Sequence, residues 1–180
     1  MRTILFIFLT TFLTFSFINA KDLTPFYSLD TSGGVTDLLI NDKKLYASTT
    51  ASAIDIFDIN TKEKIDKITV AKISDFTGDE IDAKVYSIDV LDENILILSQ
   101  GKDGGRNIDI YKNKKLERII SDKDRLFIAR AKFLDENHII YALLSNQIYL
   151  YDIKNKKILN EIQISQSRFS NFSLTNDKSK

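Results

Sequence analysis

An all-β fold built from repeated four-stranded sheets is predicted by two observations on this 180-residue chain. An apolar pattern recurs four times, and a second block follows it three times in the same order. Aligning the turn residues Asp42, Asp92, Asp135 and Asn176 places Val35, Val85, Ile128 and Phe169 seven positions upstream. Leu38, Ile88, Ala131 and Phe172 fall four upstream, and Ile40, Val90, Phe133 and Leu174 two upstream. Successive repeats start 50, 43 and 41 residues apart. That period suits the blade of a WD-like β-propeller and is too long for leucine-rich or hexapeptide repeats.

In the second block, Ile54-Asp55-Ile56-Phe57-Asp58, Ile108-Asp109-Ile110-Tyr111-Lys112 and Ile148-Tyr149-Leu150-Tyr151-Asp152 superpose. Aliphatic residues at the first and third places beside an aromatic at the fourth cover both faces of the strand, as in a sheet packed between sheets. Phe57-Asp58 and Tyr151-Asp152 fall where WD repeats carry Trp-Asp, and Lys112 departs from that pattern. Asn-containing polar turns follow at Asn60-Thr61-Lys62-Glu63, Asn113-Lys114 and Lys154-Asn155-Lys156, each a hairpin signal. A β-sandwich with accidental self-similarity does not account for register held over three blocks. Strands are expected at 35–40, 45–49, 54–58 and 65–70, then at 85–90, 95–99, 107–111 and 116–120. A third set is expected at 128–133, 139–144, 147–152 and 158–164. The blades thus run over about 35–70, 85–120 and 128–165, and a further first strand at 169–174 opens a blade within 169–180.

Met1–Ala20 is set apart from this pattern. Arg2, the apolar run Ile4 to Phe17 and the small residue Ala20 make a secretory signal peptide cleaved after Ala20, leaving a mature domain of 21–180 in the periplasm. A retained anchor is the competing assignment, and N-terminal sequencing of the exported protein separates the two. No Cys follows the cleavage point and no twin-Arg pair precedes it, so lipidation there is excluded and export in the unfolded state is expected. The mature chain holds 24 basic and 25 acidic residues, which offers no electrostatic basis for binding nucleic acid. With no Cys, the exported domain is held by its core alone. Because a propeller closes on itself with about four blades or more, three blades and one strand are read as part of a truncated propeller. Such a piece leaves sheet faces and edges uncovered.

The sequence offers little for catalysis. His138 is the only histidine, so neither a Ser-His-Asp site nor a multi-His metal site can be assembled from this chain, and no cofactor or metal site is expected. Aligned on Asp135, His138 has Ile95 and Leu45 as counterparts and reads as a turn-edge residue. Nothing selects one carboxylate pair from the 25 acids for glycosidase chemistry. Gly101-Lys102-Asp103-Gly104-Gly105-Arg106 lies between two strands and lacks the Lys-Ser/Thr and helix of a phosphate loop, so it is read as a hairpin. Asp75, Asp79, Glu80 and Asp82 around Gly78 do not alternate as calcium ligands do and are read as an acidic solvated loop. The next connection carries Ser121-Asp122-Lys123-Asp124-Arg125, followed by Arg130 and Lys132. Connections between blades share one face of a propeller, which makes this face the expected partner-binding surface, with Asp79, Glu80, Asp124 and Arg125 its candidate residues.

Several of these segments carry a resemblance. Ser32-Gly33-Gly34-Val35-Thr36-Asp37, Asp75-Phe76-Thr77-Gly78-Asp79, Leu98-Ser99-Gln100-Gly101, Ser121-Asp122-Lys123-Asp124-Arg125-Leu126-Phe127 and Leu174-Thr175-Asn176-Asp177-Lys178-Ser179-Lys180 resemble the L-type accessory protein of epsilonproteobacterial periplasmic nitrate reductase operons, an exported WD-like propeller. The resemblance implies a periplasmic accessory role beside nitrate reductase components, in nitrate respiration and its maturation. It transfers no catalytic residue. The expectation is therefore a noncatalytic interaction scaffold. The alternatives are an exported quinoprotein-type enzyme, with ligands beyond Lys180, and a general envelope-assembly propeller.

Overall fold

The computed structural model describes residues 24–175; the expected signal peptide and the Asn176 turn with the residues after it lie outside this range. Three four-stranded antiparallel sheets follow one another, each a meander whose strands are neighbours in sequence order. The first holds β1 (Val35–Asn41), β2 (Lys44–Thr49), β3 (Ala53–Asp58) and β4 (Lys64–Thr69). A two-stranded ribbon, β5 (Ile73–Ser74) and β6 (Glu80–Ile81), precedes the second sheet. That sheet comprises β7 (Val85–Leu91), β8 (Asn94–Gln100), β9 (Arg106–Lys112) and β10 (Lys115–Ile120). The third comprises β11 (Ile128–Phe133), β12 (His138–Leu143), β13 (Gln147–Asp152) and β14 (Lys157–Gln163). All twelve expected strands of the three sheets are present, with boundaries within one residue.

The repeat is visible in hydrogen bonds as well as in apolar residues. The register slips at the same place in each sheet, between Val35 and Asp37, Val85 and Ser87, and Ile128 and Arg130. At that same end of each sheet, the Thr50 N–H donates to the Gly34 carbonyl (2.9 Å), Gln100 to Lys84 (2.7 Å) and Leu144 to Phe127 (2.9 Å). These acceptors each immediately precede an inner strand, so one bond closes every blade at the same position.

The fifth-place residue of the second block has a physical role. Asp58 Oδ1 accepts from the Asn60 and Thr61 N–H groups, and Asp152 Oδ1 from the Asn155 N–H. Both carboxylates cap the hairpin turn that follows their strand. The β9–β10 turn is shorter, with Asn113 and Lys114 both at positive φ (51° and 60°), as a two-residue type I′ hairpin requires. That turn is only two residues long, and Lys112 takes the place of the capping acid.

Two expectations need correction. No strand forms at 169–174: this segment finds no strand to pair with among the described residues, and a strand without a ladder partner has no hydrogen bonds to hold it. Its Phe169 N–H instead bonds the Leu144 carbonyl. The counterpart of Ile95 and Leu45 is Ile139, which pairs with Phe133 as they pair with Val90 and Ile40. The β11–β12 turn is longer than its counterparts and places His138 at the turn edge, with Nδ1 2.9 Å from Asp135.

The core lies between sheets. Tyr46, Ile54, Ile56 and Ile68 of the first sheet meet Val85, Ile88, Ile95 and Ile97 of the second. Leu96, Leu98 and Ile108 on the second sheet's other face meet Phe133, Ile139 and Tyr141 of the third. Tyr141 stacks on Tyr149 with ring centroids 5.0 Å apart, and burial pushes its phenol pKa well up. The middle sheet is therefore apolar on both faces. The inner strand β7 packs against both β1 and β11, whereas β14 is exposed along its whole length.

This arrangement predicts unequal costs for the same truncation. Ile97→Ala, at a fully buried site, is expected to cost about 2–4 kcal/mol through lost transfer energy and a residual cavity. Ile162→Ala, at a site 54% exposed, is expected to change stability by less than about 0.5 kcal/mol. Urea unfolding of the two variants checks the difference.

Candidate functional site

Each sheet's fourth strand ends at the same end of the blade where its first strand began, because a four-stranded meander reverses three times. The connections β4→β7 and β10→β11 thus emerge on one face, together with the β2–β3, β8–β9 and β12–β13 hairpins.

The first connection is more ordered than a solvated acidic loop. Its ends pair as β5 and β6, Ile73 opposite Ile81 and Ser74 opposite Glu80. Asp75 Oδ1 accepts from the Thr77 N–H (2.9 Å), the Thr77 hydroxyl (2.7 Å) and the Asp79 N–H (3.0 Å). These bonds stabilise the carboxylate and lower its pKa, the Thr77 hydroxyl contributing most. Thr77 Oγ1 also lies 2.9 Å from Asp79 Oδ2, so the two carboxylates share its one proton, and Glu80 lies 3.9 Å from the Lys72 ammonium. The ribbon is tied to the first blade by Ser52, whose hydroxyl accepts from the Ala83 N–H (2.8 Å) and donates to Asp82 (3.1 Å).

The second connection is a capped 3-10 turn over Asp122–Asp124. The Ser121 hydroxyl accepts from the Lys123 N–H, and Asp124 Oδ2 accepts from the Ser121 N–H (3.0 Å), a reciprocal capping box. Arg125 ends the turn at φ 52°, a left-handed position unusual for a side chain of this size. Asp122 Oδ2 accepts from the Lys102 N–H at 2.7 Å and so joins the turn to the β8–β9 hairpin. The approach is close enough that glycine is required: a Cβ on Gly105 would lie 2.6 Å from the Asp122 carbonyl oxygen. An open cleft of about 770 Å³ remains between hairpin and turn, lined by Lys102, Asp122, Lys123, Arg125 and Phe127 among others.

Of the four residues singled out from sequence, Asp124 and Arg125 stand together beside the hairpin, and Asp79 and Glu80 stand on the preceding ribbon. No hydrogen bond or ion pair joins the two pairs. Asp79 and Asp124 hold their own loops and Glu80 faces Lys72, which leaves Arg125 as the side chain most available to a partner. No cluster of three or more potential metal-ligating side chains occurs among the described residues, and no helix there is long and apolar enough to cross a membrane.

The inner strands carry polar residues that the apolar alignment passed over. Asp37 Oδ2 accepts from the Ile88 N–H (3.2 Å) of the next blade, and Asp89 Oδ2 from the Phe133 N–H (2.9 Å) of the blade after. Arg130 reaches back to Asp37 (3.6 Å), and Lys132 to Asp89 (3.2 Å). Acids inside an otherwise apolar strand were the available signal. In the outer halves, Asp55 is wholly buried yet receives the Ser32 hydroxyl (2.8 Å) and Lys64 (3.1 Å). Burial raises its pKa, but the Ser32 N–H and hydroxyl with Lys64 outweigh it, so the net shift is downward. At the matching place Asp109 meets a single partner, Arg118, and burial wins, raising its pKa.

No protein-family model matches this chain, and no curated protein matches it by sequence. Solved structures do. The WD40 β-propeller domain of Doa1 is 16% identical with a TM-score of 0.57, over 83% of this chain and 46% of that one. U3-55K is 8% identical with a TM-score of 0.53, over 77% and 42%. The chain spans less than half the length of either. With its repeated inner strands and meandering sheets, its fold is that of WD40-like β-propeller blades.

The turn carboxylates predict acid sensitivity. The Lys102 N–H chiefly holds the Asp122 pKa below its usual value, with smaller help from Ser121 and Arg118. A folded value below the unfolded one, about 3.9, means this stabilisation is full above that pH and disappears as pH falls through the folded value. Asp109 opposes the trend, since its raised pKa favours the protonated form in the fold. Urea midpoints of Asp122→Asn are expected to fall less than those of the wild type between about pH 5 and pH 3.

Proposed function

We propose that the protein is a noncatalytic interaction scaffold of the periplasm, exported by its N-terminal segment, that serves the periplasmic nitrate reductase and its partners in nitrate respiration. The observation carrying the scaffold reading is the connection face: two charged connections, each fixed by its own hydrogen bonds and tied to a blade hairpin, emerge on one side. A rigid platform of loops is what partner docking uses, because little order has to be gained on binding. The nitrate-respiration assignment is supported by the resemblance of the Ser32–Asp37, Asp75–Asp79 and Ser121–Phe127 segments to the accessory protein described above.

The test is capture of partners from the envelope fraction of nitrate-respiring cells by the full-length protein, with Asp79, Glu80, Asp124 and Arg125 changed to Ala. Charges at an interface rim mainly alter association rate and salt dependence, so single changes are expected to weaken capture by less than about fivefold and the quadruple change by more. Equal recovery by the quadruple variant at the same salt contradicts docking through this face. Recovery of partners that include no reductase component contradicts the nitrate-respiration assignment.

A further inference from the structure

Phe76 stands at the tip of the β5–β6 ribbon with 99% of its surface exposed. It belongs to neither core cluster, so the ring contributes nothing to the packing between sheets. Other exposed apolar residues have a plain cause. Leu38 and Ile40 occupy the places at which Ile88 and Val90 pack on the preceding sheet, and no sheet precedes theirs among the described residues. The ribbon joins two sheets that are both present, and its tip is still bare. The turn that carries the ring is fixed. The Asp75 N–H donates to the Asp79 carbonyl (2.9 Å), the Gly78 N–H to the Asp75 carbonyl (3.2 Å), and Asp75 Oδ1 takes the Thr77 and Asp79 N–H groups. Gly78 closes the turn at φ 93° in open space, and Ser52 anchors the ribbon's base to the first sheet. The charge here has one sign. Asp75, Asp79, Glu80 and Asp82 face a single base, Lys72, which lies at the ribbon's base 3.9 Å from Glu80 and 3.7 Å from Asp82.

We propose that Phe76 is an anchor that inserts into an apolar pocket of a protein partner, a pocket rimmed by Lys or Arg. The proposal rests on the scaffold reading and names how its docking face grips a partner. An aromatic side chain has few torsions to freeze, and the backbone that carries this one is ordered before binding. Rings seated in a partner's pocket and surrounded by polar contacts carry a large share of the affinity at interfaces. The acids around the ring fix the sign of that rim. A pocket edged by Asp or Glu is repelled, one edged by Lys or Arg is steered in, and an Arg guanidinium stacks favourably on the ring face. The same acids disfavour an anionic phospholipid surface, the other apolar medium open to an exposed ring. Without Phe76 these acids would be a solvated turn. With it they select the pocket.

The probe is the photo-cross-linking group p-benzoylphenylalanine, placed at position 76 of the full-length protein in nitrate-respiring cells. The control carries it at position 114, because Lys114 is exposed in the β9–β10 hairpin of the opposite face. Position 76 is expected to give a protein adduct that position 114 does not give. Toward that cross-linked protein, once purified, Phe76→Ala is expected to lose at least about tenfold in affinity while keeping the salt dependence. Its melting temperature is expected to match the wild type, because the ring lies outside both core clusters. Glu80→Lys is expected to bind more weakly than Glu80→Gln, since a basic rim repels the added charge. Six results overturn the proposal: no protein adduct at position 76, an adduct with lipid or with a second copy of the chain, the same adduct from position 114, full affinity or a lowered melting temperature in Phe76→Ala, or binding by Glu80→Lys no weaker than by Glu80→Gln. Envelope partners captured equally by the wild type and Phe76→Ala would reject the anchor and leave the scaffold reading standing. A position-76 adduct with a protein that is no reductase component would keep the anchor and reject the nitrate-respiration assignment.

Discussion

The inner edge of each blade poses the constraint on which the structure depends. A sheet's first strand has no ladder neighbour on its inner side, so alternate N–H groups there face no backbone acceptor. Asp37 and Asp89 answer this by reaching across to the next blade's inner strand and accepting from Ile88 and Phe133. Hydrogen bonds to a charged acceptor are stronger than neutral ones, and Arg130 and Lys132 balance the two carboxylates. Burial alone would hold the sheets face to face without fixing how far one slides past another. The aspartates set that register.

Register at the inner strands carries through to the connection face. The residue just before each inner strand accepts a hydrogen bond from the following hairpin, so fixing the strand also fixes the hairpin. Ser52 and Asp122 then tie the outgoing connections to those hairpins. The charged side chains of the face therefore stand on loops held by their own hydrogen bonds, which is the condition for recognition at low entropic cost. On the opposite face acids cap turns as well: Asp58 and Asp152 each hold the hairpin that follows their strand.

Strand placement was legible because an apolar residue at a fixed repeat position has only one packed destination, between two sheets. Tyr111 and Tyr151 are examples, each packed against a core between two sheets. Features set by one blade alone were harder to read. The extra turn length before Ile139 displaced His138 by one position, and an alignment on Asp135 cannot register an insertion between the aligned acid and the next strand. The ribbon β5–β6 is too short to show periodicity, and its order comes from Asp75 acting as acceptor to Thr77 and Asp79. Of the four site candidates, charge and loop position picked out all alike, yet only hydrogen bonding separates Asp79 and Asp124, which hold their loops, from Glu80 and Arg125. Asp37 and Asp89 were hidden for the opposite reason: a repeat search rewards apolar identity, and these acids occupy different repeat positions in successive blades.

Native-state hydrogen exchange at the Phe133 amide tests the blade-joining role of the inner aspartates most directly. In the wild type this amide is expected to exchange with the ladder amides of β8, whose opening reports global unfolding. In Asp89→Ala it is expected to exchange faster than those amides, by local opening, because its acceptor is gone. A Phe133 amide that exchanges rapidly in the wild type, or one that tracks the β8 ladder equally in both proteins, would contradict the account.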